Sequence, residues 1–228
     1  MRRIIFDLDG VLVNSEPIYR KAWIRAYKEI GINIDGYYHD TKISGNHPMV
    51  STALVLKEFG KKVEKVSQER LNSRKEQISY EIISKNGLEP ANDAHKLITE
   101  LNFKDVPLAL ASTTTMIVVR KILEVLGIKD LFRIIHTQES VANGKPHPEI
   151  YLKIAQILDA RPFDCIVFED SKSGVTAAKA AGMYCIGVLN SHNNTAMLSD
   201  TDRIISNFNE ISIDEILTPP QPLQVPNF

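Results

Sequence analysis

Two aspartates, Asp7 and Asp9, stand two residues apart at the end of the apolar run Ile4-Ile5-Phe6, and Gly10 follows them. In an extended chain residues i and i+2 point to the same side, so both carboxylates can face one pocket. Two anions that close repel unless a cation or a shared proton relieves them. Mg²⁺, a hard ion that takes a few carboxylates together with phosphate oxygens, does this. A carboxylate held in such a setting can also attack phosphorus and form an aspartyl-phosphate. Gly10 lets the chain turn sharply out of a strand. The same residues also suit a solvated turn closing a strand, so the tripeptide alone leaves both readings open.

Three later segments add to it. Leu108-Ala109-Leu110-Ala111-Ser112 is an apolar run ending in a hydroxyl, with Thr113, Thr114 and Thr115 behind it. A hydroxyl plus free N–H groups at a helix start make a phosphate site, although capping by one of the threonines explains them equally. Gly144-Lys145-Pro146-His147-Pro148-Glu149 places a lysine, a compact cation, in a proline-stiffened loop. Ile166-Val167-Phe168-Glu169-Asp170-Ser171 is an apolar run ending in two acids, a place that by itself suits the cap of the next helix.

These side chains need a scaffold. Apolar runs at Arg3–Phe6, Leu108–Ser112, Arg133–Thr137, Cys165–Phe168, Tyr184–Val188 and Arg203–Ile205 read as strands. Helical patterns at Asn92–Leu101, Met116–Leu126, Glu149–Leu158 and Ser173–Ala181 lie between them, with Gly127 and Gly182 placed as helix stops. Alternating β and α elements predict an α/β fold, a doubly wound parallel sheet with its ligand beyond the carboxyl ends of the strands. From Ser15 to about Ser84 no strand is convincing. Ser15-Glu16-Pro17 opens a helix there, with Ser15 as its cap, and further helical patterns run over Pro48–Phe59 and Gln68–Ile83. This all-helical insertion leaves the chain directly after Asp9, so it is expected to sit over the strand ends as a lid.

In this order and at this spacing the four segments resemble the haloacid dehalogenase (HAD) superfamily over roughly residues 1 to 212. The strings DGVLVNSEP, GKPHPEIY and FEDSKSGVTAAKAAGM are similar to its phosphatase and β-phosphoglucomutase branch with a small helical cap. The resemblance implies a Rossmann-like core (residues 1–14 and 85–212), a cap (15–84) and a Pro-rich tail (213–228). It implies Asp7 as nucleophile, Asp9 as general acid and base, and Lys145 as the cation on Asp7 and phosphate. It also implies Mg²⁺ on Asp7, the backbone of Asp9 and Asp170, with Glu169 acting through water or as an orienting group, and phosphate on Ser112, Thr113 and Lys145. Family members that cleave carbon–halogen bonds lack the second aspartate, so Asp9 argues for an alcohol leaving group, which needs a proton. His147 is read as structural. Tyr19 stands where β-phosphoglucomutases carry a histidine, and Ser44-Gly45-Asn46-His47 lacks their phosphate-gripping arginine. His47, Arg74 and Lys75 remain as substrate-binding candidates in the cap.

Composition sets the bounds. The 228 residues suit one large or two small domains, and 43% hydrophobic content supplies a core. A net charge of −1 gives no pull toward nucleic acid or anionic membrane. No apolar run approaches the ~20 residues of a membrane span, and the N-terminal run stops at Asp7, too short for a signal peptide. Cys165 and Cys185 have no CxxC spacing and read as free buried thiols; the other histidines show no ligand spacing. The expectation is a cytoplasmic, monomeric Mg²⁺-dependent phosphatase of a small phosphorylated metabolite, with a sugar phosphate the leading substrate. A β-phosphoglucomutase-like mutase and a catalytically idle binding protein of the same fold are the alternatives.

Overall fold

The structure, a computed structural model, describes residues 2–44, 48–91 and 93–218. The strands are β1 (Arg3–Phe6), β2 (Leu108–Ala111), β3 (Ile134–His136), β4 (Cys165–Glu169), β5 (Tyr184–Val188) and β6 (Arg203–Ile205). They form one all-parallel sheet in the order β3-β2-β1-β4-β5-β6. The order in which strands are added reverses beside β1, so its carboxyl end lies at the crevice where such sheets bind ligands.

Alternate strand residues feed two cores. Ile4, Phe6, Leu108, Leu110, Ile166 and Phe168 pack on one face with helices α5 (Ala94–Phe103) and α6 (Met116–Val125), where Phe6 and Phe168 stack with centroids 4.9 Å apart. Ile5, Ala109, Ala111, Cys165, Val167 and Cys185 pack on the other against α7 (Glu149–Ile157) and α8 (Lys172–Ala180). Burial on both faces is why these strands read as continuous apolar runs rather than as alternation. Both cysteines are buried and unpaired.

Between β1 and β2 lie α1 (Glu16–Glu29), α2 (Gly36–Lys42), α3 (Pro48–Glu58) and α4 (Lys65–Asn86). They enclose a separate apolar cluster that includes Trp23, Tyr27, Leu56, Leu71 and Ile78. Among the described residues no strand occurs there, and no helix is long and apolar enough to cross a membrane.

Three expectations change. Ser15 precedes α1 but makes no side-chain cap; its hydroxyl goes to Asp9 instead. Helix α2 is additional, started by Asp35, whose carboxylate accepts from the Tyr38 N–H at 2.7 Å. The segment expected as tail begins with a helix, α9 (Ile213–Leu217), which is opened by a Ser212/Glu215 capping box and buries Ile216. The Ser-x-x-Glu signature was present in the sequence. The chain from 219 onward lies outside the described residues, as does the candidate His47 with Gly45, Asn46 and Asn92.

Candidate active site

The carboxyl ends of β1, β2 and β4 converge on one buried lysine. Lys145 Nζ donates to Asp7 Oδ1 at 2.7 Å, to Glu169 Oε1 at 2.6 Å and to the Ala111 carbonyl at 3.0 Å. Its loop is tied down from α7. The Glu149 carboxylate accepts from the Ala142 and Asn143 N–H groups, both at 2.9 Å, and pairs with Lys153. Those bonds, the one to Lys153 first, hold the Glu149 carboxyl down at about 2.

Glu169 is saturated. Oε1 accepts from Lys145 and from the Tyr151 hydroxyl at 2.8 Å. Oε2 accepts from the Asp170 and Ser171 N–H groups at 3.0 and 3.1 Å and from the Ser171 hydroxyl at 3.0 Å. Five donors on roughly four lone-pair sites leave this carboxylate little capacity for another partner. Ser171 is itself the cap of α8, accepting from the Gly174 N–H at 3.0 Å. A Cβ at Gly174 would lie 1.7 Å from Glu169 Oε1, so glycine there makes room for the buried acid.

Asp170 is held differently. Its Oδ2 accepts from Asn190 Nδ2 at 2.8 Å, and its carbonyl accepts from Asn193 Nδ2 at 2.8 Å. Asn190 also donates to the Gly10 carbonyl at 3.2 Å. Gly10 has φ +77°, and a Cβ there would lie 1.9 Å from Asp170 Oδ2 and 2.8 Å from Asn190 Nδ2. Gly10→Ala therefore combines positive-φ strain with displacement of Asp170. We expect a stability loss of more than about 1 kcal/mol and a fall in turnover, read by thermal denaturation and phosphate release. An unchanged melting temperature would contradict this close approach.

Asp7 and Asp9 do not share partners. Past Phe6 the chain turns, and the Asp9 carboxylate accepts from three hydroxyls. These are Ser15 at 2.5 Å and Tyr19 at 2.8 Å on Oδ1, and Thr114 at 2.8 Å on Oδ2. Tyr19 and Thr114 are also 3.1 Å apart. Ser112 is fully buried, its hydroxyl accepting from the Thr114 N–H at 3.0 Å, while Thr113 is exposed. The third threonine, Thr115, precedes α6 without capping it and gives its hydroxyl to Glu76 of α4 at 3.0 Å.

Of the insertion candidates, Lys75 comes to this region and Arg74 does not. Lys75 Nζ sits 3.8 Å over the Tyr19 ring and 3.0 Å from Glu76. Arg74 is turned to the outer face, where it pairs with Glu29 at 2.7 Å and Glu81 at 3.4 Å. Consecutive helix residues point about 100° apart, and here that turn carries Arg74 away from the face on which Lys75 lies. Exposed His147 accepts from the Glu149 N–H at 3.3 Å. Folding also brings Glu16, His39 and Asp40 together; Arg20 and Ser44 already engage their carboxylates at 2.7 and 2.6 Å. Chain spacing alone carries no sign of that junction.

Electrostatics separate the acids. Burial pushes the Asp7 carboxyl well above the usual range; Lys145 opposes this, and Glu169, Asp170 and Asp9 add to it. Burial, then Glu169, pushes Asp170 up to about 8. Burial acts upward on Glu169 too, but Lys145 and the hydrogen bonds from Ser171 and Tyr151 hold it below its ordinary value. Burial would lower the Lys145 ammonium, yet Asp7 and Glu169 raise it overall, so it stays charged. Oxygens of Asp7, Glu169 and Asp170 lie within 4.8 Å of one another. Asp7 and Asp170, the two carboxyls with capacity left beside the saturated Glu169, offer oxygen donors that fit a hard divalent cation.

A profile of the haloacid dehalogenase-like hydrolases matches residues 1–182. The chain is similar to a phosphorylated carbohydrates phosphatase of Thermotoga maritima, 33% identical over 210 residues, covering 90% of this chain and 93% of that protein. It is also similar to a β-phosphoglucomutase of Bacillus subtilis, 31% identical over 192 residues, covering 82% and 83%. The crystal structure of CbbY from Rhodobacter sphaeroides with xylulose-(1,5)bisphosphate has the same fold, with a TM-score of 0.85 at 22% identity over 95% and 99% of the two chains. The chain belongs to the haloacid dehalogenase-like hydrolase family.

Proposed function

We propose that the chain is a Mg²⁺-dependent phosphomonoester hydrolase of small phosphorylated carbohydrates, working through an aspartyl-phosphate on Asp7. The observation that carries this reading is the buried Lys145 bridging Asp7 and Glu169 beside Asp170. Phosphoryl transfer asks the protein mainly to position groups and neutralise charge. Asp7 attacks phosphorus, while Lys145 holds the Asp7 carboxylate in place and neutralises phosphate oxygens. Ser112, with the N–H groups at the start of α6, receives the phosphate. Asp9, aimed by Ser15, Tyr19 and Thr114, protonates the leaving alcohol and then takes the proton of the attacking water.

Asp7, Asp170 and the backbone carbonyl of Asp9 would hold the ion. When bound, Mg²⁺ supplies positive charge to the transferring phosphoryl group. Glu169, saturated by donors, orients Lys145 and the Asp170 backbone, which is the second of the two roles its place in the family allows. Residues 15–84 act as the cap, with α4 reaching the β2–α6 loop through Glu76 and Thr115. The carbohydrate substrate class rests on the relatives' activities, and Asp9 is the group an alcohol leaving group requires.

The test is inorganic phosphate release from a panel of sugar phosphates, with and without Mg²⁺. Product that is isomerised sugar phosphate, with no phosphate released, would establish the mutase alternative. Full activity in EDTA would remove Mg²⁺ from the mechanism.

The ion should also act on stability, with a definite pH dependence. Without a cation, Asp7 and Asp170 are carboxyls whose native pKa values exceed their unfolded ones. The native state then binds more protons, so stability falls as pH rises toward about 8. Glu169 is shifted the other way, and its contribution is already complete above the range where free glutamate titrates. Mg²⁺ lets Asp7 and Asp170 ionise without that loss. The melting-temperature gain on adding Mg²⁺ should therefore be larger near pH 8 than near pH 5. A gain that is flat with pH, or absent, counts against the site.

A further inference from the structure

Helix α4 carries three consecutive charged residues, Arg74, Lys75 and Glu76, and sends them to different places. Arg74 is committed to Glu29 and Glu81 on the outer face. Lys75 and Glu76 turn inward, with side chains only 7% and 14% exposed, and pair at 3.0 Å. They stand beside the proposed acid. Lys75 lies over Tyr19, whose hydroxyl donates to Asp9, and Glu76 accepts from Thr115, next in the chain to the Thr114 that also holds Asp9.

The charge that α4 presents at this place therefore sums to zero. An ammonium offers three donors, and a carboxylate offers acceptors. Together they satisfy hydroxyl groups, which both give and receive hydrogen bonds. A second phosphate, with a charge of about −1.5 to −2, meets a different environment. The nearby Lys75 ammonium is already paired, and the Glu76 carboxylate repels that phosphate.

Resting on the phosphatase reading above, we propose that Glu76 is a specificity-determining residue. It selects substrates whose single phosphate is carried on an uncharged polyhydroxylated skeleton, and it discriminates against those with a second phosphate. Lys75 is the donor half of the same reader, and Tyr19 fixes where it sits.

The experiment measures competitive inhibition of p-nitrophenyl phosphate hydrolysis, in the presence of Mg²⁺, by fructose 6-phosphate and by fructose 1,6-bisphosphate. Inhibition reads binding whether or not either sugar is turned over. The quantity compared is the ratio of the two inhibition constants within one protein, so a general loss of activity cancels. We expect the wild-type protein to bind the monophosphate at least about tenfold more tightly, and Glu76→Gln to bring the two within about threefold, because the amide keeps the acceptor and removes the charge. Equal inhibition constants in the wild type overturn the proposal without any variant, as does absence of inhibition by both sugars. An unchanged ratio in a folded Glu76→Gln protein overturns it too. If p-nitrophenyl phosphate itself is not hydrolysed, the phosphatase reading falls and takes this inference with it; hydrolysis without discrimination removes this inference alone.

Discussion

Replacing Asp7 with asparagine is expected to abolish turnover and to leave the fold intact or more stable. The amide has the carboxylate's shape but is not a nucleophile toward phosphorus, so the expected loss is about 10⁴-fold or more. Stability moves the other way for a physical reason. Asp7 is buried, its charged form disfavoured by burial and by Glu169, Asp170 and Asp9. Lys145 keeps Glu169 and the Ala111 carbonyl as partners after the change. A site that crowds like charges for chemistry carries a cost in stability, and the neutral isostere relieves part of it. Phosphate release together with thermal denaturation checks both halves. Asp9→Asn separates the roles: the first transfer from p-nitrophenyl phosphate, a good leaving group, persists while hydrolysis stalls. Near-native turnover by Asp7→Asn would falsify the assigned mechanism.

Removing Lys145 is expected to do the reverse, striking stability and activity together. In Lys145→Ala the carboxylates of Asp7 and Glu169 lose the ammonium that bridges them at 2.7 and 2.6 Å. Breaking a buried ion pair from one side costs about 3–5 kcal/mol, because the other charge stays buried without a partner. Turnover falls by about 10²–10³-fold as well, through lost charge stabilisation. The pH dependence identifies the cause. Glu169 is held below its ordinary value by Lys145, against burial that acts upward. Without the lysine its native pKa rises, the native state binds more protons than the unfolded one, and stability falls as pH rises. The variant should therefore recover stability on acidification from about pH 8 to about pH 5, more steeply than the wild type. Urea unfolding at the two pH values reads this. Lys145→Met, which keeps the aliphatic stem, shows whether lost packing contributes. A Lys145→Ala protein as stable as the wild type near pH 8 would show that the lysine does not hold the cluster together.

The sheet was legible along the chain because its strands are buried on both faces. Burial of that kind leaves uninterrupted apolar runs, and the chemistry-bearing residues follow directly at their ends: Asp7 after Phe6, Ser112 after Ala111, Glu169 closing β4. Position at a strand end is a local property, so sequence order alone carries it. Gly127 and Gly182 likewise mark helix ends with φ of +68° and +75°. The helical character of the insertion was legible in the same way.

Side-chain partnership was not legible, because it joins residues far apart in the chain. Nothing local tells that Tyr19 and Thr114, 95 residues apart, meet over Asp9. Nor does it tell that Tyr151 joins Lys145 on Glu169, or that Asn190 braces Asp170. Ser15 shows the limit most directly. Its type and place suit a helix cap, and the hydroxyl goes instead to a carboxylate six residues earlier, since the turn at Gly10 folds the chain back toward it. Arg74 and Lys75 are neighbours in sequence, but the helix turns them apart, one to Glu29 and one to Tyr19. Residue types and strand ends set out the chemistry available to this protein, while packing between distant segments assigns each group its partner, because a hydrogen bond or an ion pair depends on distance in space and not on separation along the chain.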